Sequence, residues 1–108
     1  MPFLMAASAS CLAADVQGNF QIGTMPKFAG IQADIYITGG NTVDYTSNFV
    51  IKANGNYLCN TADEAYSSTP IRHCKATIAA PGTYTISATP SSSSQNFKAP
   101  ADVIINVD

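Results

Sequence analysis

Apolar and polar side chains alternate along much of the second half of the chain, and this pattern predicts strands. The stretch 74–88 reads CKATIAAPGTYTISA, two alternating runs on either side of Pro81-Gly82. Alternation with period two in segments rich in Thr, Ile and Tyr is typical of half-buried strands. Proline supplies a fixed φ and glycine a permissive one, so this dipeptide predicts a reversal of the chain between the two strands. The predicted inward positions are Cys74, Ala76, Ile78, Tyr84, Ile86 and Ala88.

The same alternation recurs elsewhere and predicts about seven strands in total. Their predicted extents are 15–22, 31–38, 43–53, 57–59, 71–78, 83–89 and 102–108. Gly18 predicts a bulge or kink in the first strand, and Asn54-Gly55 predicts a type I′ hairpin, because both centres of that turn need positive φ. The predicted inward side chains of the first two strands are Val16, Phe20, Ile22, Ile31, Ala33, Ile35 and Ile37. Short strands without a helical period predict an all-β fold, a sandwich of two antiparallel sheets.

Residues 1–14, MPFLMAASASCLAA, form a short apolar run that ends in small residues. This is typical of the later part of a secretory signal, with cleavage expected after Ala13 or Ala14, although no Lys or Arg precedes the run. Two alternatives remain: an N-terminal helix or strand of the mature fold, and lipid attachment at Cys11. The run is too short for a membrane span. We therefore expect a signal-like segment at 1–14 and one domain at 15–108.

The cysteine count agrees with export. Removal of Cys11 with the signal-like segment leaves Cys59 and Cys74, and an even pair in a small exported domain predicts a disulfide. Closing that loop of about fifteen residues would stabilise the fold by roughly 3 kcal/mol. The alternative, a metal bound by the two cysteines and His73, lacks a fourth ligand and a CxxC spacing. The expected location is secreted or periplasmic.

Composition excludes several function classes. Charged residues make up 11% of the chain, the net charge is -2, and the five basic residues are scattered. Such a chain lacks the basic patch with which proteins bind the phosphates of nucleic acids. It has neither a Gly-rich phosphate loop nor a DxDxDG calcium pattern. The sequence thus predicts no cofactor, no metal, no nucleic-acid partner and no membrane span in the mature chain.

Candidate chemistry is sparse. His73, the one histidine, is predicted on an outward face beside Lys75, and Asp63 and Glu64 are adjacent rather than opposed across a cleft as glycoside hydrolysis requires. We therefore expect no enzyme activity. The best candidate ligand contacts are Tyr36, predicted to face outward, and Tyr66, in the loop between the two cysteines. Three aliphatic side chains are also predicted outward, and they suggest contact with a neighbouring domain, a subunit or the signal-like segment as a helix: Val50, Ile71 and Ile104.

The end of the chain, PGTYTISATP followed by APADVIINVD, resembles the closing strands of immunoglobulin-like sandwich modules in secreted bacterial proteins, such as the N-terminal sandwich domains of bacterial chitinases. Gly82-Thr83-Tyr84 is similar to their tyrosine corner, in which the phenol hydrogen-bonds to the preceding turn. Ile86 stands where antibody domains have a cysteine, and the chain has no Trp, so an antibody-type domain is excluded. The resemblance implies a domain that binds or spaces, and it assigns no functional residue.

The sequence therefore suggests an exported, non-catalytic interaction or spacer module at the cell envelope. Its expected partner is a protein or polysaccharide of the cell surface. One alternative is a carbohydrate-binding accessory domain of a secreted hydrolase. A second alternative is a pilin-like or adhesin subunit.

Overall fold

The computed structural model describes residues 16–39, 48–64, 71–91 and 97–108, and these form an all-β fold. The strands of this part are β1 (Val16–Gln17), β2 (Asn19–Phe20), β3 (Ala33–Thr38), β4 (Phe49–Ala53), β5 (Asn56–Asn60), β6 (Ile71–Ala76), β7 (Gly82–Pro90), β8 (Phe97–Lys98) and β9 (Val103–Val107). Two short 3-10 helices span Ile22–Thr24 and Thr61–Asp63. The segment 1–14 with Cys11, the start of the predicted strand 43–53, and Tyr66 lie outside the described residues.

Two antiparallel sheets make the sandwich. Their strand orders are β2-β3-β6 and β5-β4-β7-β9, and buried side chains from both sheets form one core. The predicted all-β sandwich is confirmed, with the addition of a small parallel pair, β1-β8. The alternation follows the prediction most closely in β3, where Ile35 and Ile37 are fully buried between outward neighbours. Burial of such a side chain stabilises the fold by about 1.5–3 kcal/mol.

Gly18 is the point at which the first predicted strand divides. Residues before it pair with β8, and residues after it pair with β3. The Gly18 amide donates to the Lys98 carbonyl at 2.8 Å. A Cβ atom at Gly18 would lie 2.6 Å from that oxygen, so only glycine lets the chain approach β8 this closely. The kink predicted at Gly18 is therefore a change of pairing partner.

The predicted extents of the first two strands were wrong at their ends. Ile22 and Ile31, predicted inward, are 55% and 61% exposed. Ile22 starts a 3-10 helix, and Met25 is buried just after it. Ile31 donates to the Phe28 carbonyl in a turn, and β3 begins only at Ala33. At these two strand ends, the backbone makes hydrogen bonds within turns instead of bonds to a neighbouring strand, although the apolar pattern predicts that each strand extends further.

Pro81-Gly82 does not close a hairpin. β6 lies in the three-stranded sheet and β7 in the four-stranded one, so the dipeptide carries the chain between the layers. The predicted reversal therefore joins strands of different sheets, and alternation by itself marks strands without showing which sheet each one joins. The tyrosine-corner geometry is present beyond it: the Tyr84 hydroxyl donates to the Ala80 carbonyl at 2.7 Å. As predicted for the closing strands, β7 pairs antiparallel with β9.

Two further local predictions are confirmed, the turn at Asn54-Gly55 and the disulfide. Asn54 and Gly55 both have positive φ, 49° and 83°, and join β4 to β5. Cys59 and Cys74 form the predicted disulfide, with their Cα atoms 5.9 Å apart. Because β5 and β6 belong to different sheets, this bond links the two layers. It also removes both cysteines as metal ligands.

None of the helices in the described residues is long and apolar enough to cross a membrane.

Candidate functional site

Polar and aromatic side chains meet on the outer face of the three-stranded sheet. Antiparallel pairing of β3 and β6 places Tyr36 opposite His73, Asp34 opposite Lys75, and Thr38 opposite Ile71. The residues between these positions on each strand point into the core. Because side chains alternate along a strand, the six paired residues just named point outward. Asp34, Tyr36 and His73 are in direct contact, and we call them the outer-face cluster.

A hydrogen bond orients the histidine. His73 Nδ1 lies 2.8 Å from Asp34 Oδ1, and the two side chains are 24% and 33% exposed. Asp34 is the diagonal neighbour of His73 across the ladder, within reach of long side chains. An ionised carboxylate only accepts hydrogen bonds, so Nδ1 is the donor in this contact, and the bond fixes the orientation of the imidazole ring. At this exposure, such a pair stabilises the fold by about 0.2–1 kcal/mol.

The tyrosine ring stacks on the same imidazole. The ring centroids of Tyr36 and His73 are 4.8 Å apart and the ring planes differ by 9°. Tyr36 points outward as predicted but is half-buried, and one face of its ring is covered by His73. Stacking of this kind is worth about 0.5–1.5 kcal/mol beyond area burial. The hydrogen bond and the stacking together hold the three side chains in one arrangement.

The surroundings of the cluster combine apolar and charged groups. Ile71, at the start of β6, is 40% exposed as predicted, and Lys75 is exposed beside Asp34. On the other side of β3, the Thr24 hydroxyl accepts a hydrogen bond from the Tyr36 amide at 3.1 Å. The cluster therefore lies on an open sheet face, with an aliphatic side chain and an ammonium group beside it.

An Asp–His pair is also one part of several catalytic sites, where the histidine activates a nucleophile. In the described ranges, no Ser, Thr or Cys side chain is hydrogen-bonded to His73. No group of three His, Cys, Asp or Glu side chains there could hold a metal ion. Asp63 and Glu64 lie at the end of the second 3-10 helix, and neither is hydrogen-bonded to His73. What this face offers is therefore an oriented imidazole, a carboxylate and a tyrosine ring.

A second surface feature lies beside β9. A depression of about 260 Å³ is lined by Ile22, Met25, Pro26, Lys27, Ile104, Ile105 and Asn106. Ile104 is 71% exposed, which confirms its predicted outward direction. Val50, the third aliphatic residue predicted outward, is half-buried in β4.

Two features were not recognised in the sequence. The Asp34–His73 contact depends on the register of β3 against β6, which the sequence does not give. Alternation along each strand indicated only that both side chains point outward. Arg72 is fully buried, its guanidinium donates to the Ile71 carbonyl at 2.8 Å, and it lies 5.8 Å from the centroid of the Phe97 ring. Arg72 lies two residues before Cys74 on β6, so the alternation along this strand already indicates that both side chains point inward.

Comparison of the chain with protein-family models, with curated proteins and with solved structures found no match. The similarity to immunoglobulin-like modules and to chitinase sandwich domains thus remains an expectation based on residues 74–108.

Proposed function

We propose that the protein is an exported, non-catalytic interaction module that binds a protein partner at the cell envelope through the outer face of β3 and β6. The observation that carries this proposal is the outer-face cluster. Its three side chains are held by mutual contacts on an open sheet face. Side chains ordered before binding lose little further entropy on association, and a pure spacer would have no use for such an arrangement.

The disulfide supports export. Disulfides persist in oxidising compartments and are rare in cytosolic proteins. Here the bond between Cys59 and Cys74 links the two layers of a small domain. Together with the signal-like composition of residues 1–14, it supports a secreted or periplasmic location.

A protein partner fits this surface better than a polysaccharide does. Sugar rings stack on open aromatic faces, but His73 covers one face of Tyr36 and leaves it half-buried. Protein interfaces instead have a core enriched in aromatic side chains and a polar, solvent-accessible rim, and Ile71 beside the rings and Lys75 beside Asp34 extend the cluster in that sense. A pilin-like subunit receives less support, because every described strand already pairs within the same chain.

Site-specific photocrosslinking tests the proposal and leaves the cluster intact. A photoreactive amino acid replaces Lys75, which is exposed beside Asp34, and in a matched variant it replaces Thr85, which is exposed on the four-stranded sheet. We expect a discrete crosslinked protein from position 75 only, and its loss when His73→Ala is added. Equal crosslinking from both positions would contradict the proposal. Retention on chitin, cellulose or peptidoglycan that Tyr36→Ala abolishes would support the carbohydrate-binding alternative instead.

A further inference from the structure

The outer face of the four-stranded sheet has a row of three side chains that includes an exposed tyrosine. Tyr57 on β5 pairs with Lys52 on β4, and Lys52 pairs with Ser87 on β7. Directly paired residues share one face of a sheet. Ile51 and Ala53, on either side of Lys52, are buried in the core, so the row points outward. We call these three residues the tyrosine row.

The ring of Tyr57 is open to the solvent. The residue is 59% exposed, and among the described residues no aromatic ring stacks on it and no cation lies over it. Tyr36 on the other sheet differs, because His73 is stacked on one face of its ring. The face of an aromatic ring is negative, and the C–H bonds on one side of a pyranose ring have a partial positive charge. An open tyrosine ring therefore suits stacking on a sugar.

The charge beside this ring is positive. The strands β4, β5, β7 and β9 contain one charged residue, Lys52. Within the described ranges, its ammonium group makes no ion pair or hydrogen bond. A carboxylate also lies in register with the row, because Asp102 comes just before β9 at the level of Ser87. It is two strand spacings, about 10 Å, from Lys52. An acidic group next to Tyr57 therefore meets the ammonium group before it meets this carboxylate.

We propose that the tyrosine row binds an acidic polysaccharide. A uronic acid residue stacks on Tyr57, Lys52 donates a charge-assisted hydrogen bond to its carboxylate, and the Ser87 hydroxyl bonds to a hydroxyl group of the same or the next sugar. Thr85, exposed two residues before Ser87 on the same face, offers a further hydroxyl. This inference is independent of the function proposed for the outer-face cluster, which lies on the other sheet.

The test is a titration of the full chain, labelled with ¹⁵N, with trigalacturonic acid at low ionic strength. We expect saturable shifts of the amide signals of Lys52, Tyr57 and Ser87. The methyl ester of the same trisaccharide keeps the sugar rings and lacks the negative charges, so its Kd should be about threefold higher or more. Tyr57→Ala should raise the Kd for the acid about tenfold, because the stacking surface is lost. Lys52→Gln should raise it about three- to fivefold and remove the preference for the acid over the ester.

Lys27→Gln is the matched control, because it removes an exposed ammonium group that lies beside the other edge strand, near Asp108. It should leave the Kd and the preference for the acid unchanged, and far-UV circular dichroism checks that each variant is folded. Absence of shifts at about 20 mM trisaccharide, equal Kd values for acid and ester, or an unchanged Kd in Tyr57→Ala would overturn the inference. Equal losses in Lys52→Gln and Lys27→Gln would also overturn it, because binding would then depend on overall charge. A protein photocrosslinked from position 85, and lost in Tyr57→Ala, would overturn it in favour of a protein partner.

Discussion

Loss of the disulfide between Cys59 and Cys74 should lower the stability of this domain substantially. The bond closes a loop of sequence separation 15 and links β5 to β6, which belong to opposite layers. For a loop of this length, the chain-entropy model gives about 3 kcal/mol. In a domain of this size, each kcal/mol shifts Tm by about 4–8 °C, so reduction should lower Tm by roughly 12–24 °C.

The assay compares oxidised and reduced protein by urea unfolding and by calorimetry, in a Cys11→Ser background that removes the third thiol. Reduction leaves both sulfur atoms in place, so it avoids the small cavities that a Cys59→Ala, Cys74→Ala double variant would create at these buried positions. The double variant should lose at least as much stability as the reduced protein. A loss below about 1 kcal/mol on reduction would refute the reasoning, because the cross-link would then not restrict the unfolded chain. Mass spectrometry that finds both thiols free in the folded protein, purified without a reducing agent, would refute it more directly.

Three further predictions concern single contacts and are measured by urea unfolding. Gly18→Ala should destabilise by about 1–3 kcal/mol, because the new Cβ would lie 2.6 Å from a backbone oxygen of β8, whereas Gly23→Ala meets nothing within 4 Å; equal losses would contradict the close approach. Tyr84→Phe should cost about 0.5–1.5 kcal/mol by removing the bond to the turn before β7, and an unchanged midpoint would count against a tyrosine corner. Thr61→Val should cost about 1–3 kcal/mol, because the buried Phe49 amide loses its acceptor at 2.9 Å, and a neutral result would mean that water replaces the hydroxyl.

The strand interiors could be predicted well because their signal is local. In β3, Ile35 and Ile37 alternate with polar residues, and both are fully buried. Strand ends were harder to predict. Ile22 and Ile31 continue the apolar pattern, yet hydrogen bonds within turns hold them outside the sheets. At a strand end, the choice between strand and turn depends on single backbone hydrogen bonds, and the spacing of apolar residues gives no information about them.

The candidate site was harder to predict than the fold. Alternation along the strands was sufficient to place the side chains of Tyr36 and His73 on outer faces, and it identified Ile104 as an exposed aliphatic residue. Contact between Asp34, Tyr36 and His73 requires the register of β3 against β6, strands separated by more than thirty residues. A change of register by two residues would keep every side chain on its face and still separate this cluster.

By itself, the sequence determined the all-β class, the type I′ turn at Asn54-Gly55 and the pairing of Cys59 with Cys74, since each depends on residues close in the chain or on a count. Only the tertiary structure decided that Pro81-Gly82 crosses between layers, that Gly18 changes partners, and that Lys27 and Ala29 bond to Asp108 at the edge of the four-stranded sheet. The physical reason is that strand order and register come from packing between distant segments, where many arrangements share the same alternation of buried and exposed positions.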